Sequence, residues 1–163
     1  MNILVRSFLY ISVAALAVYL GLLLQNTKVS SEKKQIAQNK LVANDGASLI
    51  LSANLPDLKG QNQEISQWKG KVLIVNFWAT WCEPCRREMP EFINLQNELR
   101  DQGLLFIGIA TDQKNKVQQY SREIGVNYPV LLGGIEAMEL AEAAGNHHAV
   151  LPFTVILNRN GEI

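Results

Sequence analysis

The sequence predicts an α/β domain carried behind one membrane-spanning segment, and three observations carry that reading. Residues 72–77 and 104–110 are nearly unbroken apolar runs, separated by a helical pattern in which Met89, Phe92, Leu95 and Leu99 recur at spacings of three, three and four. Such runs suit strands buried on both faces, and a strand–helix–strand order pairs its strands in parallel. Second, the only two cysteines, Cys82 and Cys85, stand where the first run gives way to the helix. Third, residues 3–24 are apolar apart from Arg6.

Residues 8–24 hold no charge. At ~1.5 Å per residue they span about 25 Å, and the longer run from residue 3 exceeds the ~30 Å of a bilayer core. Arg6 can snorkel to the interface. A cleaved signal peptide is the rival, because Ala15-Leu16-Ala17 mimics a cleavage site. The apolar run continues for seven residues past Ala17, which favours an uncleaved signal anchor at 8–24 with residues 1–7 in the cytoplasm. No cysteine follows the run, so a lipoprotein anchor is excluded. The flanking charges are divided. The N-terminal amine and Arg6 favour a cytoplasmic N-terminus, whereas Lys28, Lys33, Lys34 and Lys40, offset by Glu32, favour the reverse. Residues 25–48 are polar and read as a tether with some helical character near 32–41.

The domain is expected over 49–163. Residues 55–65 read as a short hairpin around a polar turn. Ser66-Gln67-Trp68-Lys69-Gly70 leads into the first central strand. The helix from Cys82 extends to about Arg100, with an interior Pro90 that should kink it. After the strand at 104–110, Asp112 is the expected N-cap of a helix that presents Val117, Tyr120 and Ile124 on one face. Residues 128–131 are extended, 135–144 helical, and 153–157 a strand followed by the turn 158–161.

At 48% hydrophobic the chain can bury a core, although the N-terminal run inflates the figure. Arg6 is the only charge before residue 25, so the rest carries one net negative charge. No basic patch interleaved with aromatic residues suggests a nucleic-acid surface. Two cysteines in a Cys-x-x-Cys fit a redox site better than a disulfide scaffold. Cys82 falls at a helix N-terminus, where free N–H groups and the dipole favour an anion and therefore a thiolate, the nucleophilic form. Cys85, one turn on, lies on the same face and can close a disulfide with it. A zinc half-site is the competing reading, but no second cysteine pair exists and His147 and His148 are adjacent rather than spaced as ligands.

The stretch 76–85, Asn-Phe-Trp-Ala-Thr-Trp-Cys-Glu-Pro-Cys, resembles the active-site segment of thioredoxins. With Arg-Arg-Glu-Met-Pro after it, the sequence resembles the membrane-anchored TlpA/ResA/DsbE-like branch, of the redoxin (AhpC/TSA) type, over roughly residues 49–163. The resemblance implies a thioredoxin-like fold, a central mixed sheet flanked by helices with an N-terminal hairpin extension. Its members continue with a further strand and a C-terminal helix, so the sequence is expected to be C-terminally incomplete at Ile163. It also resolves the orientation, placing the domain on the outer, periplasmic face of a bacterial cytoplasmic membrane.

What the resemblance implies for chemistry is thiol–disulfide exchange without a cofactor or metal. Cys82 attacks a client disulfide and Cys85 resolves the mixed disulfide. Glu83 places negative charge near the thiols, which disfavours the thiolate and moves the couple towards a reductant. Thioredoxins carry a buried acid where Asn76 stands here, so Glu88, three residues past Cys85, becomes the expected proton-handling group; an ordinary solvated glutamate is the alternative. Trp81 is expected to cover the site and Trp78 to sit in the core. Leu151-Pro152 is expected to be a cis-proline site whose backbone at Leu151 pairs with an extended substrate, against the plainer reading of Pro152 as a strand-start proline. Clients implied are apocytochrome c or a copper-delivery protein, with a membrane electron donor of the DsbD/CcdA type. The rivals are a disulfide-forming oxidase, a copper chaperone using Cys82, Cys85 and His147 or His148, and a thiol peroxidase, which would need a separate peroxidatic cysteine.

Overall fold

The computed structural model describes residues 45–163 and, before them, Leu20, Gln25, Lys28, residues 33–36 and Gln38. The anchor expected at 8–24 and most of the tether expected at 25–48 lie outside the described residues. Among the described residues, no helix is long and apolar enough to cross a membrane.

Residues 45–52 are helical (α1). The hairpin follows as β1 (Asn54–Pro56) and β2 (Asn62–Glu64), antiparallel with Leu55 opposite Gln63. Then come β3 (Val72–Trp78), α2 (Glu83–Leu99), β4 (Leu104–Ala110), α3 (Lys114–Glu123), β5 (Val130–Leu132), α4 (Gly134–Ala143) and β6 (Phe153–Leu157). The main sheet has the order β5-β4-β3-β6. β3, β4 and β5 are parallel, and β6 runs antiparallel to β3. This is the mixed sheet that the resemblance implies.

Alternation along β3 divides the core. Leu73, Val75 and Phe77 face a layer formed by α1, the hairpin and α4, with Ile107, Ile109, Leu131, Val155 and Leu157 from the other strands. Ile74 and Trp78 face the opposite layer, where Met89 of α2 and Val117 and Tyr120 of α3 pack with Phe106 and Ala110. The two layers explain why β3 and β4 read as continuous apolar runs: neither face meets water. Asn76, on the α2 side, is the polar break in this pattern and is buried.

Two expectations are corrected. The packed domain begins before residue 49, because Ala47 of α1 is buried in the core beside Ile50. The small Ala47 and Gly46 gave no apolar stripe by which to see this. Asp112 is not the cap of α3. The cap position is Gln113, with no side-chain hydrogen bond, and the Asp112 carboxylate accepts instead from the Thr80 hydroxyl and the Gln113 N–H. A bond across the ends of two neighbouring strands has displaced the local cap.

Gly108 marks the closest approach in the α2-side layer. A Cβ there would come within 2.9 Å of the Trp78 indole nitrogen, and Tyr128 stands behind it. Trp78 is fully buried, so its ring has nowhere to retreat. Gly108→Ala should therefore destabilise the domain by about 1–3 kcal/mol, the usual cost of overpacking. A lower urea midpoint with an unchanged slope would show it; an unchanged midpoint would mean that the indole moves freely.

Candidate functional site

β3 ends at Trp78, and four residues carry the chain to α2. Cys82 occupies the N-cap with extended backbone angles, φ −82° and ψ 102°. Its sulfur takes the place of a serine or aspartate oxygen: the backbone N–H of Cys85 donates to Cys82 Sγ at 3.3 Å. Pro84 stands in the first turn, where a missing N–H leaves no helical bond unmade. Cys82 and Cys85 form a disulfide with Cα atoms 5.3 Å apart. Cys85 is wholly enclosed, whereas Cys82 keeps 4% of its surface. Of the two cysteines, Cys82 is thus the one with surface open to solvent.

Glu83 lies in the first turn, exposed, and pairs with Arg87 at 3.5 Å one turn on. That pairing softens the negative charge that Glu83 was expected to bring to the cysteines. Arg86, next along the helix, rests its guanidinium 4.8 Å from the Tyr120 ring centroid.

A small polar cluster joins β3, α2 and β6. Asn76 Nδ2 donates to Glu88 Oε1 at 2.9 Å and to Thr154 Oγ1 at 3.0 Å. β3, α2 and β6 each supply one member, and the antiparallel register places Asn76 directly opposite Thr154. Partial burial raises the proton affinity of the Glu88 carboxyl above its ordinary value, and the hydrogen bond from Asn76 offsets this only in part. A glutamate so placed holds its proton to higher pH than a solvated one. Asn76 Oδ1 has no hydrogen-bond partner among the described residues. Tyr128 is buried on the same side. Burial, then the charges of Glu88 and Tyr120, keep its hydroxyl protonated well above the ordinary tyrosine range.

Trp81 and Leu151 meet at an open groove of about 570 Å³ beside the disulfide. Trp81 is 69% exposed, and Leu151 packs against the cluster that contains both cysteines. The Leu151-Pro152 peptide bond is cis. Buried Asn146 fixes the approach to this segment, exchanging side-chain hydrogen bonds with the backbone of Val150 in both directions. Trp78, as expected, is in the core. The sequence reading missed Ile135 and Met138 of α4, which line the same groove. Ile135 is 82% exposed, and its position directly after Gly133-Gly134 at a helix start was the available signal. His147 and His148 are exposed in the turn before the groove. Among the described residues no three histidine, cysteine or acidic side chains gather as a metal site, so the structure does not bring either histidine to the cysteines as a ligand set.

Comparison with known proteins agrees with this geometry. The model of the AhpC/TSA family matches residues 48–163. The thiol-disulfide oxidoreductase ResA of Halalkalibacterium halodurans is 34% identical over 110 residues, covering 67% of this chain and 60% of that protein. ResA of Bacillus subtilis is 32% identical over 114 residues, covering 67% and 59%. The chain thus spans about three fifths of the length of these curated relatives. Among solved structures, a thiol:disulfide interchange protein of the thioredoxin family from Chlorobium tepidum superposes with a TM-score of 0.63 at 30% identity, covering 69% of this chain and 79% of that one. A secreted disulfide oxidoreductase of Mycobacterium tuberculosis shares the fold, with a TM-score of 0.59 at 20% identity.

The raised proton affinity of Glu88 has a pH signature. The folded state binds this proton more tightly than the unfolded chain does. The stability it contributes is fully present below the unfolded pKa and is lost as pH rises through the folded one. Glu88→Gln should therefore flatten stability against pH across the window from the ordinary glutamate range upwards, and gain on the parent as pH approaches neutrality. Denaturant midpoints of both proteins across that window test this; parallel curves would mean that Glu88 titrates as a solvated side chain.

Proposed function

The chain belongs to the AhpC/TSA family, and on that basis we propose that it is a thiol–disulfide oxidoreductase, most specifically a membrane-tethered reductase of protein disulfides. The observation that carries this reading is the Cys82–Cys85 disulfide seated on the N-terminus of α2, with the Cys85 N–H aimed at the Cys82 sulfur. In the reduced protein, the same N–H and the helix dipole would stabilise a Cys82 thiolate.

The reaction balances as two thiol–disulfide exchanges. The Cys82 thiolate attacks one sulfur of a client disulfide, forming a mixed disulfide and releasing the client's other sulfur as a thiolate. Cys85, losing its proton towards Glu88, then attacks Cys82 Sγ. The client leaves as a dithiol, and Cys82–Cys85 is oxidised. Two electrons have passed to the client, and a membrane donor of the DsbD/CcdA type returns them. Trp81 and Leu151 receive the client at the groove. With residues 8–24 as anchor, 25–44 as tether and the domain outside the cytoplasmic membrane, the clients would be apocytochrome c or a copper-delivery protein. The resemblance to ResA supports this setting.

The test begins with the reduction potential of Cys82–Cys85 in the full chain, equilibrated in nanodiscs against glutathione and dithiothreitol. A value near or below thioredoxin's, about −270 mV, is expected; one close to the strongly oxidising disulfide-forming enzymes, about −120 mV, would overturn the reductase. Cys82→Ser should abolish reduction of a disulfide-bonded peptide. Cys85→Ser should accumulate the Cys82–peptide mixed disulfide, visible by mass spectrometry.

A further inference from the structure

A second cavity, of about 310 Å³, opens between the hairpin turn, the end of α3 and β5, and shares no lining residue with the groove beside the cystine. Its walls are largely apolar, with Leu58, Val126 and Val130 among them and two aromatic rings, Trp68 and Tyr128. Asp57 bridges to Leu131, which holds the hairpin turn against the strand edge. Ser121, 5% exposed on α3, forms part of the wall. Its hydroxyl is buried without a hydrogen-bond partner among the described residues. A buried hydroxyl in that state is a standing cost unless something completes it.

The rim carries two positive charges against one negative. Asp57 also lines the cavity and stays ionised, the Gln61 N–H first among the groups that hold its carboxyl below the ordinary range: Oδ1 accepts from the N–H groups of Lys59 and Gln61, and Oδ2 accepts from the Gln63 amide. Lys59 is exposed at the rim, and the ammonium of Lys114 lies at the Gly60 turn beside it. Neither lysine has an ion-pair partner among the described residues. Apolar walls with a few convergent polar groups describe a small-molecule site.

We propose that this cavity binds a small organic anion, an aryl or alkyl carboxylate whose apolar body lies between Trp68 and Tyr128 and whose carboxylate meets Lys59. The Ser121 hydroxyl completes a hydrogen bond to the ligand from the wall. Each requirement has a separate source: volume and rings select the body, the unsatisfied hydroxyl selects a polar atom, and the two lysines, set against the single Asp57 carboxylate, select negative charge. The site does not rest on the thiol chemistry being as proposed and stands whether or not the reductase reading does.

The experiment is a titration of the oxidised full-length chain in nanodiscs with cinnamate, and with neutral cinnamamide, followed by nitrogen–proton correlation spectra. Cinnamate should bind saturably in the millimolar range or tighter, shifting the amides of Leu58, Lys59, Ser121 and Val130. Cinnamamide should bind several-fold more weakly. Lys59→Gln should weaken cinnamate several-fold while leaving cinnamamide unchanged, and Ser121→Ala should weaken both. Val126→Trp should fill the cavity and abolish binding. Lys59→Gln changes an exposed side chain, so the test survives a Val126→Trp variant that does not fold. No saturable shifts at millimolar cinnamate, shifts centred on Trp81 and Ile135, or equal affinity in Lys59→Gln would each overturn the proposal.

Discussion

Helix α2 starts on a sulfur atom. A helix N-terminus leaves N–H groups without intrahelical partners, and something must accept them. Here Cys82 Sγ accepts from Cys85 N–H, while the Cys82 carbonyl accepts from Arg86. Pro84 contributes no donor in the turn between. The arrangement that satisfies the helix is thus also the one that bonds the two sulfurs and leaves Cys82 nearer to solvent. It depends on where β3 stops. The seven residues of β3 run beside β4 in full register, and the Thr80 hydroxyl ties the loop after β3 to Asp112 beyond β4. The strand ends therefore fix the position of the cysteines.

That dependence explains what could be read from the sequence. The strands expected at 72–77 and 104–110, the hairpin and α2 were legible because each is written in local periodicity: continuous apolar runs for strands covered on both faces, and spacings of three and four for a helix on a sheet. The Cys-x-x-Cys was legible because position and chemistry coincide at one junction. Asp112 misled for a physical reason. Aspartate before a helix is a cap by local rules, but a partner 32 residues away holds its carboxylate. The start of the domain was missed because Ala47 and Gly46 are too small to announce burial, although a Cβ on Gly46 would come within 2.4 Å of the Ala143 carbonyl.

Asn76 lies between these cases. Its polarity within an apolar run was visible, and so was its departure from the acid found in thioredoxins. Its partners were not, because the contact with Thr154 spans 78 residues and follows from the antiparallel register of β6 on β3. The cluster moves the acid from the strand to the helix. A carboxylate on β3 would be enclosed by both neighbouring strands and by α2. Glu88 on α2 is only partly enclosed, so it retains access to water while its proton affinity is raised. That combination suits a group that must both take up a proton and release it.

The groove beside the cystine and the cavity by the hairpin differ in the kind of partner they can hold. The groove beside the cystine is open and rimmed by exposed apolar side chains, Trp81 and Ile135, on separate segments. Exposed apolar area gathered in one place gains most when a broad, flexible surface covers it, and a polypeptide bearing a disulfide is such a surface. The cavity by the hairpin is smaller, and its polar demand is pointed rather than spread: one buried hydroxyl and a cationic rim. A polypeptide backbone entering there would bring many donors and acceptors and find few partners, each unpaired group costing about 1–3 kcal/mol. A compact molecule with one charged end meets the same walls without that penalty. The difference lies in the count of polar groups each site can satisfy, which suits the proposed protein client to the groove and the proposed small anion to the cavity.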